Sequence, residues 1–139
     1  MKEDPLHREI VEEHAARPHY NQKLVRFSHA NSFTSQKTGN ICDIQLLVNN
    51  GVIEGISCQM QASALATACG SLMACHVHGL TVADAKVLVG QVIDYLEGKT
   101  DQALPGELGV YESIQLFRER HDCALLGWHA LQKAYGTKI

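Results

Sequence analysis

Cysteine and histidine are the side chains here best suited to hold a soft metal ion or carry sulfur, and the chain has five of the first and eight of the second. The cysteines are Cys42, Cys58, Cys69, Cys75 and Cys123, an odd set with no sign of secretion, which fits reduced thiols better than a disulfide framework. Cys75, His76 and His78 bring metal-ligating types close together in the chain. Residues at offsets of one and three on a helix do not all share a face, so a helix end whose imidazoles suit its dipole accounts for them, with zinc held by this trio as the alternative. Cys42 and Cys58 fall on the facing strands of an expected hairpin and can approach as a cross-strand pair, although thiols among apolar neighbours are ordinarily core packing. His14 and His19 flank the end of an expected first helix, where imidazoles serve the helix dipole or solvent. Later in the chain His121 and Asp122 precede Cys123, with Arg120 just before them. The arginine favours a thiolate, the aspartate opposes one, and the imidazole activates the thiol only if the fold brings the two within reach. No glycine-rich phosphate loop, Ser/His/Asp order or His-Glu-x-x-His helix is present, so a conventional enzyme is not indicated.

The elements that must position these groups are legible as periodicities. Leu6, Ile10 and Val11 make a helical stripe within Pro5 to Ala16, which Arg17-Pro18 ends because the residue before proline is pushed out of the helical region. Leu24 to Phe33, with Val25 and Phe27, suggests a strand with an irregular exit. From Ile41 to Val48, Cys42, Ile44, Leu46 and Val48 alternate with polar residues, the pattern of a strand with one buried face. Asn49-Asn50-Gly51 supplies a tight turn, and Val52, Glu54, Ile56, Cys58 and Met60 return as the partner strand. After Gln61 the period becomes helical through Leu65, Cys69, Leu72 and Met73, with many small residues that allow close packing and Gly79 as the stop. Thr81 and Asp84 open a further helix through Leu96 to Gly98. Asp101 to Gly109 is expected to be a loop, Tyr111 to Phe117 one or two helical turns, and Cys123, Leu126, Trp128 and Leu131 the apolar side of a last helix. Strands grouped together and then helices, without alternation, predict an α+β domain with an antiparallel sheet.

The 139 residues and 15.3 kDa suit a single domain, 1–139, and 45% hydrophobic with 19% charged residues suits a packed core. A net charge of -3 and a pI near 6.2 provide no broad basic field, which argues against nucleic acid as a partner. Met1-Lys2-Glu3-Asp4-Pro5 lacks the order of a signal peptide and no apolar run reaches membrane-helix length, so a cytoplasmic address and no membrane partner are expected.

The opening Leu6-His7-Arg8-Glu9-Ile10-Val11-Glu12-Glu13-His14, followed by Arg17-Pro18-His19-Tyr20-Asn21, resembles the first helix of the NifU/IscU/SufU iron-sulfur cluster assembly scaffolds, patterned Leu-Tyr-x-Glu-x-Ile-x-x-His and then Pro-x-x-Asn. The hairpin, the small-residue helix and the ending Phe117, Arg120, Cys123, Ala124, Leu126, Trp128, Ala130 and Leu131 follow in the same order, and the ending is similar to the SufU branch. The resemblance implies a three-stranded antiparallel sheet packed against four to five helices, the SufE/NifU type of fold. It also implies a scaffold that takes sulfur from a cysteine desulfurase-like partner and holds an iron-sulfur cluster or zinc. In that family three cysteines and an aspartate bind the metal, thiolates as soft anionic donors and the carboxylate as an exchangeable hard one.

Carried over residue by residue, the resemblance leaves little of that set. Aligning on Ile44 to Val48 places Thr38-Gly39-Asn40 on the family's Cys-Gly-Asp, and the run from Gly51 onward places Ser63 on its second cysteine. Cys123 alone keeps its ligand type, with Arg120 matching the preceding basic residue, His121 beside it and Asp122 where the SufU branch has lysine. A register using Cys42-Asp43 as a compressed motif is the alternative, but it shortens the strand and turns its alternation against its neighbour. The expectation is therefore a ligand-poor assembly scaffold whose metal or cluster binding is impaired or altered, down to no cofactor at all. The alternative is a metal-free interaction module on the same fold; the sequence leaves the oligomeric state undetermined.

Overall fold

The computed structural model describes residues 3–138. Helix α1, Pro5–Ala16, begins at Asp4, whose side chain accepts from the Leu6 backbone N–H at 2.9 Å, a cap that satisfies one of the free donors of the first turn. Three strands follow, β1 His29–Thr34, β2 Ile41–Asn49 and β3 Val52–Gln61, forming an antiparallel sheet in the order β1-β2-β3. Then come α2 Ala64–Val77, α3 Val82–Leu96, a 3-10 turn at Gly106–Val110, α4 Tyr111–Gln115, a second 3-10 turn at Arg118–Arg120 and α5 His121–Tyr135. The α+β class, the antiparallel sheet and the helix count are as the sequence and its resemblance led one to expect.

The β2–β3 turn uses Asn50 and Gly51 at φ 53° and 77°, the positive values that a two-residue hairpin requires. Cys42, Ile44 and Leu46 of β2 and Ile56 and Cys58 of β3 face the core. The expected alternation on β3 fails at its start: Ile53 is buried and Glu54 exposed. Leu47 pairs with Gly55 but Val48 with Ile53, leaving Glu54 as an extra residue, a bulge that reverses the phase of the strand.

Residues 24–28 are not strand, contrary to expectation, and β1 begins only at His29. The segment before it is a strap across the outer sheet. The Leu24 N–H donates to Gln45 Oε1 at 2.8 Å, and Tyr20 O accepts from the Cys58 N–H of the edge strand β3 at 2.7 Å. Val25 is fully exposed, so the apolar letters that suggested a strand do not mark a core face. The opposite edge, β1, is covered by the C-terminal segment, where Thr137 O accepts from the Ala30 N–H at 3.3 Å. Both sheet edges are thus partly blocked against pairing with another chain. Within the loop expected at 101–109, Gly106 onward winds into the 3-10 turn instead.

Helix α2 is buried nearly all round and forms the centre of the molecule. Its small residues have a specific role where it crosses α5. A Cβ on Gly127 would sit 3.2 Å from Gly70 Cα, and a Cβ on Gly70 would collide with the Met60 methyl and lie 3.0 Å from Cys58 Sγ. Alongside, Trp128 Nε1–H donates to the Tyr111 hydroxyl at 2.8 Å, and that hydroxyl donates to Ala124 O at 2.9 Å, joining α4 to α5 with every polar atom paired.

Candidate functional site

Cys123 lies half-buried in the first turn of α5, the helix end that carries partial positive charge. The Asn40 side-chain N–H donates to its Sγ at 3.7 Å. Asn40 closes a short loop between β1 and β2. Its carbonyl accepts from the Ser35 N–H at 2.8 Å, and its own N–H donates to Thr38 Oγ1 at 3.2 Å. Gly39 takes φ 77°, a conformation natural to glycine.

The anchor of this loop is a pair the sequence did not single out as such. Ser35 is buried, and its hydroxyl donates to Asp122 Oδ2 at 2.5 Å while accepting from the Lys37 and Thr38 N–H groups at 3.2 and 3.3 Å. One hydroxyl therefore spends its proton on α5 and its lone pairs on the loop. Asp122 holds Thr38 and Asn40 against the helix bearing Cys123. Nothing in the local sequence marks this contact, since its partners stand 87 positions apart.

The remaining expected residues are engaged with partners of their own. Ser63 is the N-cap of α2, its hydroxyl accepting from the Ala66 N–H at 3.2 Å. Arg120 pairs with Glu3 at 3.6 Å and lies over the Phe117 ring at 4.2 Å. His121 Nε2–H donates to Gln115 O at 3.1 Å, which ties its ring to backbone. Cys42 and Asp43 point to opposite faces of β2, the first buried and the second exposed. Cys42 meets Cys58, with the two Sγ atoms 3.6 Å apart.

His76 Nδ1–H donates to Leu72 O at 2.8 Å and His78 bonds Glu54 O at 3.1 Å, so the two histidines after Cys75 serve different backbone carbonyls. Among the described residues, no three of His, Cys, Asp and Glu gather so as to hold a metal ion. His14 departs from expectation. It is buried rather than solvated, because Ser71 and Glu107 meet its two nitrogens at 2.7 and 3.1 Å. A carboxylate only accepts, so Nε2 carries a proton directed at Glu107. Ser71 also accepts the His19 N–H at 2.8 Å, fastening the strap to α2.

Charge is withheld from most of the thiols. Burial pushes the Cys69 thiol up to about 12, and Cys42 is raised by its hydrogen bond to Cys58 and then by burial. Cys75 is raised by burial and by the nearby Glu107 carboxylate.

The family described as the NifU-like N terminal domain matches residues 6–137. The zinc-dependent sulfurtransferase SufU of Bacillus subtilis (strain 168) is 21% identical over 132 residues, which cover 94% of this chain and 89% of that protein. Among solved structures, a putative iron-sulfur cluster assembly scaffold protein for the SUF system from Fervidobacterium islandicum AW-1 superposes with a TM-score of 0.83 at 17% identity, covering 91% of this chain and 93% of that one. The N-terminal part of a nitrogen-fixing NifU-like protein from Brucella abortus gives 0.82 at 20%, covering 92% and 90%. These structural likenesses establish the fold.

Proposed function

We propose that this chain, which belongs to the NifU-like N-terminal domain family, takes part in iron-sulfur cluster assembly through the single sulfur of Cys123 rather than by holding a cluster. The observation that carries the reading is the company Cys123 keeps: an amide N–H directed at its sulfur, where a metal-binding site would need another electron-pair donor. Thr38 and Ser63 offer neutral hydroxyls already engaged with backbone N–H groups, and Asp122 is engaged with Ser35. Such a donor set fits neither a cluster nor four-coordinate zinc.

What the corner can do is sulfur exchange with a persulfide from a cysteine desulfurase-like partner. The Cys123 thiolate attacks the outer sulfur of the donor persulfide, the donor's S–S bond breaks, and the donor cysteine leaves as a thiolate with the bonding electrons. A persulfide then stands on Cys123, with no net oxidation, and the same exchange in reverse passes it on. The Asn40 N–H is placed to hydrogen-bond that sulfur while it bears charge.

A second reading, a metal-free interaction module, is supported by a groove of about 320 Å³ beside the same corner, lined by Val11, Leu65, Val110 and Ile114 with Glu3 and Arg120 at its rim. Anaerobic reconstitution with ferrous iron and sulfide, followed by metal analysis and visible absorbance after desalting, tests the absence of cluster holding that both readings share. Wild type and Cys123→Ala are expected to emerge equally free of cluster. Cluster absorbance in the wild type that vanishes in Cys123→Ala defeats the proposal.

A further inference from the structure

The groove between α1 and α4 already holds a carboxylate of the chain itself. Glu3 lies just before α1, and its two oxygens face different guanidinium groups: Oε2 is 3.3 Å from Arg8 Nη2, and Oε1 is 3.6 Å from Arg120 Nη1. The first contact is a charge-assisted hydrogen bond and the second an ion pair. Arg120 has a second support, because its guanidinium lies over the Phe117 ring at 4.2 Å and so keeps a seat when Glu3 leaves. Glu3, Arg8 and Arg120 all stand on the lining of the groove of about 320 Å³.

Below these charges the lining is apolar. Val110 and Ile114 are buried at its floor, and Val11 and Leu65 are half-buried at its walls. The Ser113 hydroxyl there is already engaged, bonded to His7 Nδ1 at 2.7 Å and accepting from the Asp4 N–H at 3.2 Å. His7, Val11 and Ala15 recur at every fourth position, so α1 presents about 12 Å of one wall. Glu12, one turn beyond Arg8, is a further carboxylate on the lining, and it opposes a second negative charge on anything bound there.

We propose that this groove binds an aliphatic monocarboxylate, its acyl chain over Val11, Leu65, Val110 and Ile114 and its carboxylate in the place of Glu3 between Arg8 and Arg120. The volume stands at the small end of the range for ligand pockets, about 300 to 1,000 Å³, which suits a medium-length chain better than a long one. Burial of the acyl chain supplies most of the affinity. The two guanidiniums are exposed enough to be screened by solvent, so they chiefly select the head group. Binding exchanges one carboxylate for another, and no covalent bond is made or broken. It is independent of the sulfur chemistry of Cys123 and gives the groove a small-molecule occupant rather than a protein.

Octanoate is the probe, followed by methyl NMR of the full chain at neutral pH and low salt. The expected result is saturable shifts at the methyls of Val11, Leu65, Val110 and Ile114, with the fully exposed Val25 unmoved, and a dissociation constant below about 1 mM. Hexanoate should bind about tenfold more weakly, since each buried methylene is worth about fourfold. Octanol, which keeps the chain and lacks the charge, should bind about fivefold more weakly than octanoate. Arg120→Gln should weaken octanoate by about fivefold and leave octanol as it was, whereas Glu3→Gln, which removes the competing carboxylate, should strengthen octanoate about threefold. A merely structural role of either residue would move both ligands together. Absence of saturable shifts in the groove, or an unchanged octanoate affinity in both variants, overturns the proposal. Equal affinity for octanoate and octanol overturns it too, and returns the groove to the protein-interaction reading.

Discussion

Cys123 and Cys69 lie on the packed helices α5 and α2, close enough that Cys123 helps to raise the Cys69 thiol, yet they occupy opposite surroundings. Cys123 is half-buried beside an amide donor and a loop held by one serine–aspartate bond. Cys69 is fully buried, and its thiol is pushed up to about 12 despite the lowering effect of the Tyr111 hydroxyl. A thiol becomes chemistry or packing according to what the fold sets around it. The interior here is held by close contact and the corner by a few polar bonds, so the two regions should fail in different ways.

The largest expected effect comes from the interior. Gly70→Val places a branched side chain against the Met60 methyl, Cys58 Sγ and the α5 crossing at Gly127, and should cost about 3 kcal/mol of stability. The measurement is a fall in the urea midpoint at constant slope, accompanied by labelling of thiols that are protected in wild type. An unchanged midpoint would mean that the helices separate freely.

Alkaline pH gives the next effect. The folded-state values of Cys69, Cys42 and Tyr111 are all raised, Tyr111 mainly by burial. Once pH passes the ordinary value of about 8.5 for a thiol, or about 10 for the phenol, the unfolded chain releases protons that the folded chain keeps, so the stability each group contributes is present below its ordinary value and lost above it. Each thiol should remove up to about 1.4 kcal/mol per pH unit, for Cys69 until its folded value of about 12 is approached. Melting curves from neutral to alkaline pH should show this decline, and Cys69→Ala should make it shallower. An equally steep decline in that variant would remove Cys69 from the account.

The smallest effect belongs to the corner. Asp122→Ala releases Ser35 and with it the loop bearing Thr38 and Asn40, at a cost of about 1 kcal/mol. Amide exchange at Lys37 and Thr38 should accelerate and Cys123 should label faster, while protection of the α2 core stays as it was. Unchanged exchange in the loop would show that it is held by something else.

The fold was largely legible because its main signals are local. Period-two alternation from Cys42, the Asn50-Gly51 turn and the Thr81 cap each depend on neighbouring residues. The failures have the opposite character. Leu24 to Phe27 suggested a strand by composition, but Leu24 bonds the Gln45 side chain and the preceding Tyr20 bonds β3, as a strap. The burial of His14 depends on Ser71 and Glu107, 57 and 93 positions away, and no local pattern encodes those partners. At the candidate site, residue types alone could name Cys123, but the Ser35–Asp122 bond that aligns the loop with it appears only when the ends of the site are folded together. The bulge at Glu54 likewise reversed a strand whose letters alternated acceptably either way.

The central claim is that Cys123 is the sulfur this molecule offers to a partner, and transfer from a persulfide donor tests it most directly. After incubation and removal of the donor, peptide mass spectrometry is predicted to find one added sulfur on the peptide containing Cys123 and none on the same peptide of Cys123→Ser, with Cys42, Cys58 and Cys69 unmodified. Added sulfur distributed over the buried cysteines, or a wild-type protein that accepts none, would contradict the account and leave the interaction module as the better reading.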